Sequence, residues 1–247
     1  VEPEPPEDDA LALGFWHLGQ RPYPQRASRS IAIAPWTAIR HNYSSSVAGT
    51  FDRLMGLDRA TLNGRLLLLH GPPGTGKTTA LRALAHAWKG WCRFEYILDP
   101  ERLLNLPGYL MTVALDNNDD DDDKRWRLLV LEDCDELIRS EAKQGAGQSL
   151  ARLLNLTDGL LGQGLEVLVC ITTNEALSRL HPAVVRPGRC IAQIHVGRLP
   201  RPEATAWLGS GAGIGPEGAT LAELLAIRGD LGQLAHHDTP PPAGPYL

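Results

Sequence analysis

The sequence has no apolar run long enough to cross a membrane and no recognisable signal peptide. A membrane-spanning helix needs about 18 or more mainly apolar residues, so we expect no membrane segment in this chain. The sequence also lacks an excess of basic residues, because 24 Lys and Arg stand against 29 Asp and Glu, for a formal net charge of -5. A general nucleic-acid binder needs a basic surface, so a nucleic-acid partner is not expected.

Cysteine is scarce, and the four residues are Cys92, Cys134, Cys170 and Cys190. No two of them have the short spacing typical of a metal site, and the last three lie in or beside apolar runs. Small buried thiols are typical of proteins in a reducing compartment, so we expect a cytoplasmic protein. The chain starts at Val1 rather than Met, so we expect further residues upstream.

Residues 71–78, G-P-P-G-T-G-K-T, meet the phosphate-loop pattern G-x-x-x-x-G-K-[ST] in full. The glycines let backbone N–H groups surround a phosphate, and the following helix offers its positive N-terminus. In this pattern Lys77 contacts the phosphates and the Thr78 hydroxyl ligates Mg²⁺. The predicted nucleotide-binding residues are Gly71, Pro72, Pro73, Gly74, Thr75, Gly76, Lys77, Thr78 and Thr79. The loop alone does not decide the reaction, because kinases, GTPases and transporters share it.

Apolar runs of strand length, with helical patterns between several of them, lie at residues 65–70, 93–98, 128–131, 167–172 and 191–196. Alternating strands and helices predict an α/β fold, a doubly wound parallel five-stranded P-loop sheet with a small C-terminal helical lid. We predict three segments. Residues 1–40 are an acidic, Pro-rich linker or the remnant of an upstream domain, with a short strand near residues 30–34. Residues 41–199 form the nucleotide-binding domain, and residues 200–247 form the lid and a Pro-rich tail.

Two adjacent acids, Glu132 and Asp133, follow the apolar run at residues 128–131. Hydrolysis of ATP needs one carboxylate near Mg²⁺ and another that orients the attacking water. Adjacent strand residues point to opposite faces, so we expect the two acids to have different roles. Both Glu132 and Asp133 are candidate Mg²⁺ ligands, and either could activate water. Asp135 and Glu136 are interpreted as acids at the start of a helix.

Three further stretches resemble elements of AAA ATPases and follow in the order of that family. They are LLNLTDG at residues 153–159, ITTN at residues 171–174 and LHPAVVRPGR at residues 180–189. The resemblance extends over about residues 62–189. The Glu-Asp order, together with the first two stretches, is similar to the branch that assembles mitochondrial respiratory complex III, although the membrane anchor of that branch is not in this chain.

The resemblance implies a role for each matching residue, with ATP and Mg²⁺ as cofactors. Compared with the usual Asp-Glu order of the family, Glu132 would take the metal side and Asp133 the water side. Asn174 would be a sensor that helps to place the attacking water. Arg186 and Arg189 would be arginine fingers, which stabilise the transferring phosphoryl group. Because the fingers serve the neighbouring subunit in this family, a homo-oligomeric ring, expected to be a hexamer, would complete each site. Gly229 begins a G-D-L turn that resembles the lid turn contacting adenine.

Three other features leave alternatives open. Tyr109 and Leu110 follow the second predicted strand, where threading loops carry an aromatic residue, but a buried helix position is an equal alternative. His41 to Tyr43 lie where adenine is commonly held in this family. Residues 116–123 include six Asp and predict a solvated loop, with a cation site as the alternative.

These features favour Mg-dependent ATP hydrolysis by an ATPase that remodels an unidentified protein partner. A slowly hydrolysing, nucleotide-dependent scaffold or switch is the alternative. It is motivated by the reversal of the usual Asp-Glu order and by the lack of the basic, aromatic and Gly pattern of unfoldase loops. A phosphotransferase is disfavoured because a kinase would not need Asn174, Arg186 and Arg189 in this order.

Overall fold

A computed structural model describes residues 10–19, 23–116, 125–135, 166–176 and 188–229. The strands are β1 (Ala10–His17), β2 (Gln25–Ala32), β3 (Leu66–His70), β4 (Cys92–Ile97), β5 (Trp126–Leu131), β6 (Val167–Thr173) and β7 (Cys190–His195). The α-helices are α1 (Trp36–Ile39), α2 (Ser45–Met55), α3 (Lys77–Trp88), α4 (Pro100–Asn105), α5 (Pro107–Leu115), α6 (Arg201–Leu208) and α7 (Leu221–Arg228). The predicted solvated loop beyond Asp116, the LLNLTDG stretch at residues 153–159, Glu136 and Arg186 lie outside the described residues.

The strands form one sheet in the order β2-β1-β4-β5-β6-β3-β7, and every neighbouring pair is parallel except β1 with β2. All residues of β3, β5 and β6 are buried, as expected for central strands covered on both faces. Alternate residues of these strands belong to two different apolar clusters. One contains Leu67 and Trp88 of α3, and the other contains Leu68 and Leu103 of α4. The predicted doubly wound α/β architecture is therefore confirmed.

The five predicted strands are present as β3 to β7, but the predicted total of five was too low, because the described residues form a sheet of seven strands. The two additional strands, β1 and β2, come from the segment predicted as a linker or remnant. They form an antiparallel hairpin, and β1 pairs in parallel with β4. Both strands of this segment therefore belong to the sheet, although the edge strand β2 is largely exposed.

A buried carboxylate joins the hairpin to the central sheet. Glu95 of β4 is only 1% exposed and accepts hydrogen bonds from Trp16 Nε1 at 3.1 Å and from Arg26 Nη2 at 2.7 Å. Gly14 lies opposite Glu95 in the register, and a Cβ atom there would lie 1.9 Å from Glu95 Oε2. The hairpin packs here because Gly14 leaves room for the carboxylate and two donors compensate its charge.

The two helices after residue 200 form a small apolar cluster of their own, which includes Leu199, Ala204, Ile214 and Leu224. Thr220 and Glu223 form a reciprocal capping box at the start of α7. Both helices were predicted at these positions, whereas their action as a lid remains a prediction. Among the helices within the described ranges, none has the length and apolar character needed to span a bilayer.

Candidate nucleotide-binding site

The phosphate-loop pattern forms a tight turn between β3 and α3. Gly71, Gly74 and Gly76 have φ angles of 133°, 74° and 90°, in a region that glycine adopts without steric cost. A Cβ atom on Gly71 would also lie 2.4 Å from the carbonyl oxygen of Val196. These glycines therefore allow a backbone course that other residues would resist, and α3 begins directly after the turn.

Lys77 is buried at the mouth of this loop. Its Nζ donates hydrogen bonds to Gly71 O at 2.8 Å, to Pro72 O at 3.0 Å and to Asn174 Oδ1 at 2.8 Å. An ammonium group has three donors, so these contacts use all of them. Burial lowers the pKa of Lys77, and the nearby acids oppose this change. A phosphate that Lys77 contacts must therefore replace at least one of these acceptors.

Thr78 and Glu132 meet at the next position of the loop. The Thr78 hydroxyl donates to Glu132 Oε1 at 2.7 Å. Burial is the main reason that the pKa of Glu132 is raised, with a smaller contribution from Asp133, whereas the bond from Thr78 lowers it. Hydroxyl and carboxylate oxygens are suitable ligands for Mg²⁺, which is usually held by one or two carboxylates together with substrate phosphates. The residues present therefore fit this ion.

Asp133 has an unusual backbone conformation beside this contact. Its φ of 52° is the only positive value at a non-glycine position within the described residues. Asp and Asn adopt the left-handed region more readily than most side chains do. The Asp133 N–H donates to Thr172 Oγ1 at 3.0 Å, which ties the end of β5 to the end of β6. Which of the two acids activates water stays a prediction.

Asp135 and Asn174 form a further contact between the ends of β5 and β6. Asp135 Oδ1 accepts from Thr173 Oγ1 and from Asn174 N, both at 2.7 Å, and its Oδ2 accepts from Asn174 Nδ2 at 3.0 Å. Burial alone would raise the pKa of Asp135, but these hydrogen bonds outweigh it and the pKa is lowered. The interpretation of Asp135 as a helix-start acid missed this contact. The available signal was its position after one strand end, with TTN at the end of the next strand.

The remaining predicted site residues have varied positions. Thr79 is exposed in the first turn of α3. Arg189 is 7% exposed, and its carbonyl oxygen accepts from the N–H groups of Arg65 and Leu66 at the start of β3. Gly229 ends α7 with a φ of 79°. The structure thus places Lys77, Thr78, Glu132 and Asn174 around one loop. The Arg189 side chain, in contrast, is buried within its own chain.

Tyr109 and Leu110 are core residues of α5. They are 3% and 4% exposed, and the Tyr109 hydroxyl donates to Asp99 Oδ1 at 2.7 Å. Asp99 also accepts from the N–H of Leu18 after β1. Of the two alternatives for Tyr109, the structure confirms the buried helix position and contradicts the exposed threading loop.

A cavity of about 450 Å³ lies beside the loop, lined among others by Arg40, His41, Tyr43, Ser45, Glu203 and Trp207. The Tyr43 hydroxyl donates to Gly76 O at 2.9 Å. Trp207 Nε1 of α6 donates to Asn42 Oδ1 at 2.8 Å, and the first turn of α7 contacts the loop through a bond from Ala222 N to Gly74 O at 2.9 Å. The His41–Tyr43 segment and both C-terminal helices therefore flank the phosphate loop.

Comparison with known proteins gives two family matches. Residues 67–198 match the model described as "ATPase family associated with various cellular activities (AAA)", and residues 1–56 match a domain of unknown function, DUF5925. The first match includes the phosphate loop, the acid pair, Asn174 and both candidate arginine fingers. The second includes the β1–β2 hairpin and the residues that line one side of the cavity.

Three similar proteins illustrate the range of relatives. "Protein CdcH" of Halobacterium salinarum is 32% identical over 53% of this chain and 18% of its own length. "Mitochondrial chaperone BCS1" of Bos taurus is 30% identical over 60% of this chain and 35% of its own length. "26S proteasome regulatory subunit 6B homolog" of Schizosaccharomyces pombe is 31% identical over 57% of this chain and 36% of its own length. The chain therefore spans only about a fifth to a third of the length of these relatives.

Proposed function

Because the chain belongs to the AAA ATPase family, we propose that it binds ATP with Mg²⁺ at residues 71–78 and hydrolyses ATP to remodel a protein partner. The observation that carries this proposal is the convergence of Lys77, Glu132 and Asn174 on one loop. A positive charge, a carboxylate and an amide at a helix N-terminus are suited to a nucleotide phosphate and its attacking water.

Each residue of the site would have a separate role in binding or hydrolysis. The loop N–H groups and Lys77 would hold the phosphates, with Lys77 exchanging one of its acceptors for a phosphate oxygen. Thr78 and Glu132 would hold Mg²⁺, which when bound neutralises charge on the β- and γ-phosphates. Asp133 would accept a proton from the attacking water, since a carboxylate can act as a general base. The adenine ring of ATP would lie beside His41 to Tyr43, with Gly229 on the lid side.

A ring of identical subunits, expected to be a hexamer, would complete each site. Arg186 and Arg189 are the candidate fingers, and Arg186 is favoured because Arg189 is buried within its own chain. The printed names of two relatives, a mitochondrial chaperone and a proteasome regulatory subunit, support action on a protein partner. The buried cysteines support a reducing compartment such as the cytoplasm.

A slowly hydrolysing switch is the second candidate, and the observation that favours it is the conformation of Asp133. Aspartate is one methylene shorter than the glutamate usual at this place, and its backbone is left-handed. A carboxylate with less reach would orient water less well. In this alternative, ATP binding rather than turnover would change the contacts between α6, α7 and the sheet.

The test is to measure ATP binding and phosphate release separately, for the wild type, Lys77→Ala and Asp133→Asn. We expect Lys77→Ala to lose ATP binding and Asp133→Asn to bind ATP while releasing phosphate about 100-fold or more slowly. Lys89→Ala, an exposed lysine just after the same helix, is the matched control. If the wild type binds ATP but releases phosphate no faster than Lys77→Ala, which is expected not to bind it, the switch replaces the ATPase proposal. If Asp133→Asn hydrolyses normally, Glu132 becomes the candidate base.

A further inference from the structure

We propose that Asp135 is a positioning residue that holds the Asn174 amide in one orientation, with its oxygen toward Lys77 and the phosphate side of the site. This inference rests on the proposed ATPase function, and it assigns a role to a residue outside the phosphate loop and the acid pair. It also specifies whether Asn174 would accept a hydrogen bond from the attacking water or donate one to the γ-phosphoryl group.

The orientation follows from the inventory of donors and acceptors. An ionised Asp135 offers only acceptors and Lys77 offers only donors, whereas a side-chain amide has an acceptor oxygen on one side and an NH₂ donor group on the other. The Asn174 amide lies between them, with Nδ2 3.0 Å from Asp135 Oδ2 and Oδ1 2.8 Å from Lys77 Nζ. A flipped amide would place oxygen against carboxylate and NH₂ against ammonium. The network therefore permits a single orientation of this side chain.

Asp135 also fixes the backbone beneath the amide. Its Oδ1 accepts from the Asn174 N–H and from the hydroxyl of Thr173, which is fully buried. Thr173 Oγ1 in turn accepts from Glu175 N at 3.0 Å. The backbone and the side chain of Asn174 are thus both attached to one carboxylate on the neighbouring strand end. Rotation of the side chain would break its hydrogen bonds with Asp135 Oδ2 and Lys77 Nζ.

The consequence appears when Lys77 exchanges a contact for a phosphate oxygen. If the contact given up is Asn174 Oδ1, this oxygen loses its donor while Nδ2 remains on Asp135. Asn174 then presents an acceptor to a region lined by phosphate oxygens, which are also acceptors. A water molecule in this region can donate one O–H to Asn174 and the other to the Asp133 carboxylate, the proposed general base. Asn174 would therefore act by accepting from the attacking water, and not by donating to the γ-phosphoryl group.

An exchange of the two side chains tests this assignment. In Asp135→Asn, the amide at position 135 can no longer impose an orientation on Asn174. In Asn174→Asp, two carboxylates face each other. In the double variant the Asn at position 135 donates to the Asp at position 174, whose second oxygen again faces Lys77 as an acceptor. We expect each single variant to lower kcat about 10- to 100-fold, with ATP affinity within about threefold of wild type. The double variant should recover at least about tenfold over the slower single variant.

Asp58→Asn is the matched control, because Asp58 forms an exposed turn outside the site. A wild-type kcat for Asp135→Asn, or a double variant no faster than the slower single variant, would overturn the assignment. A role in folding alone predicts parallel changes in thermal stability and kcat, so recovery of kcat without matching recovery of Tm supports the positioning role.

A second measurement is independent of turnover. The side-chain amide resonances of Asn174 in ¹H–¹⁵N spectra, identified by their loss in Asn174→Asp, should shift when Asp135 becomes Asn. An unchanged resonance overturns the inference whatever the ATPase rate. If the wild type binds ATP without hydrolysing it and the resonance nevertheless shifts, the ATPase proposal fails while the orientation of Asn174 by Asp135 is supported.

Discussion

The Thr78 hydroxyl lies 2.7 Å from Glu132 Oε1 and donates a hydrogen bond to it. Thr78 stands in the first turn of α3, and Glu132 directly follows β5. Strands β5 and β3 are separated by β6, so this contact crosses one strand of the sheet. Glutamate is one methylene longer than the aspartate usual here in the family. Its length lets the carboxylate reach the hydroxyl directly, which supports Glu132 as the acid on the metal side.

Glu132→Gln should weaken the response to Mg²⁺ more than the binding of nucleotide without metal. The amide keeps the size of the side chain but loses the charge that attracts the cation. We expect the Mg²⁺ concentration at half-maximal ATPase rate to rise about tenfold, consistent with loss of roughly 1.4 kcal/mol from the metal site. A Mg²⁺ titration at fixed ATP measures this. Glu217→Gln, at an exposed position of the C-terminal region, is the control, and equal Mg²⁺ requirements for both variants would remove Glu132 from the metal site.

The sequence predicted the part of the site that depends on local order. A run of leucines followed by Gly71 to Thr78 specifies β3, the turn and α3 without knowledge of the rest of the chain. Strand β2 was not predicted in full because an exposed edge strand carries little apolar alternation. The contact of Asp135 with Asn174 spans 39 positions and depends on how β5 and β6 align, which their apolar runs do not encode. For Tyr109, the deciding partner was Asp99, and nothing in the local spacing identified it.

Gly14→Ala should destabilise the fold through the hairpin. The new Cβ would lie 1.9 Å from Glu95 Oε2, so the buried carboxylate must move away from Trp16 and Arg26. Loss of partners for a buried charge typically costs several kcal/mol. Because Arg26 is partly exposed, we expect a fall of about 2–4 kcal/mol in the free energy of unfolding, measured by urea denaturation.

The matched control for Gly14→Ala is Gly49→Ala within α2, where a Cβ atom meets nothing within 4 Å. This change should raise the free energy of unfolding by about 0.5–1 kcal/mol, because alanine is the better helix former. Equal effects of the two substitutions would show that Glu95 adjusts without losing its partners.

His70 should make the fold sensitive to acid. It is buried next to the phosphate loop, stacks on His195 at 4.9 Å between ring centroids, and has no hydrogen-bond partner for Nδ1 among the described residues. Burial, together with the charges of His195 and Lys77, lowers the pKa of His70 to about 4. Between about pH 6.5 and pH 4 the unfolded chain therefore binds a proton that the folded chain does not. Stability contributed by neutral His70 is complete above pH 6.5 and is lost as the pH falls toward 4.

His70→Phe keeps an aromatic ring in the stack but cannot titrate. The difference in free energy of unfolding between wild type and this variant, measured from pH 4 to 8, should slope below pH 6.5 and be flat above it. Titrating groups that do not interact with position 70 cancel in this difference. His41→Gln, at an exposed histidine, is the control for the loss of an imidazole, and a flat difference curve for His70→Phe would mean that the pKa of His70 is not lowered in the folded chain.

Mixing two inactive variants tests whether each site is shared between subunits. Lys77→Ala disables the loop of its own subunit, whereas Arg186→Ala disables the finger offered to the next. In a ring with head-to-tail contacts, a random equal mixture has both an intact loop and an intact finger at about one junction in four. Because an arginine finger is worth several orders of magnitude in rate, those junctions should restore about a quarter of wild-type ATPase activity. A mixture of Lys77→Ala with Glu132→Ala is the control, because each variant carries its defect on the loop side and no junction regains a complete site. Recovery in the first mixture alone requires the finger to act across subunits, and no recovery in either would assign Arg186 to its own chain.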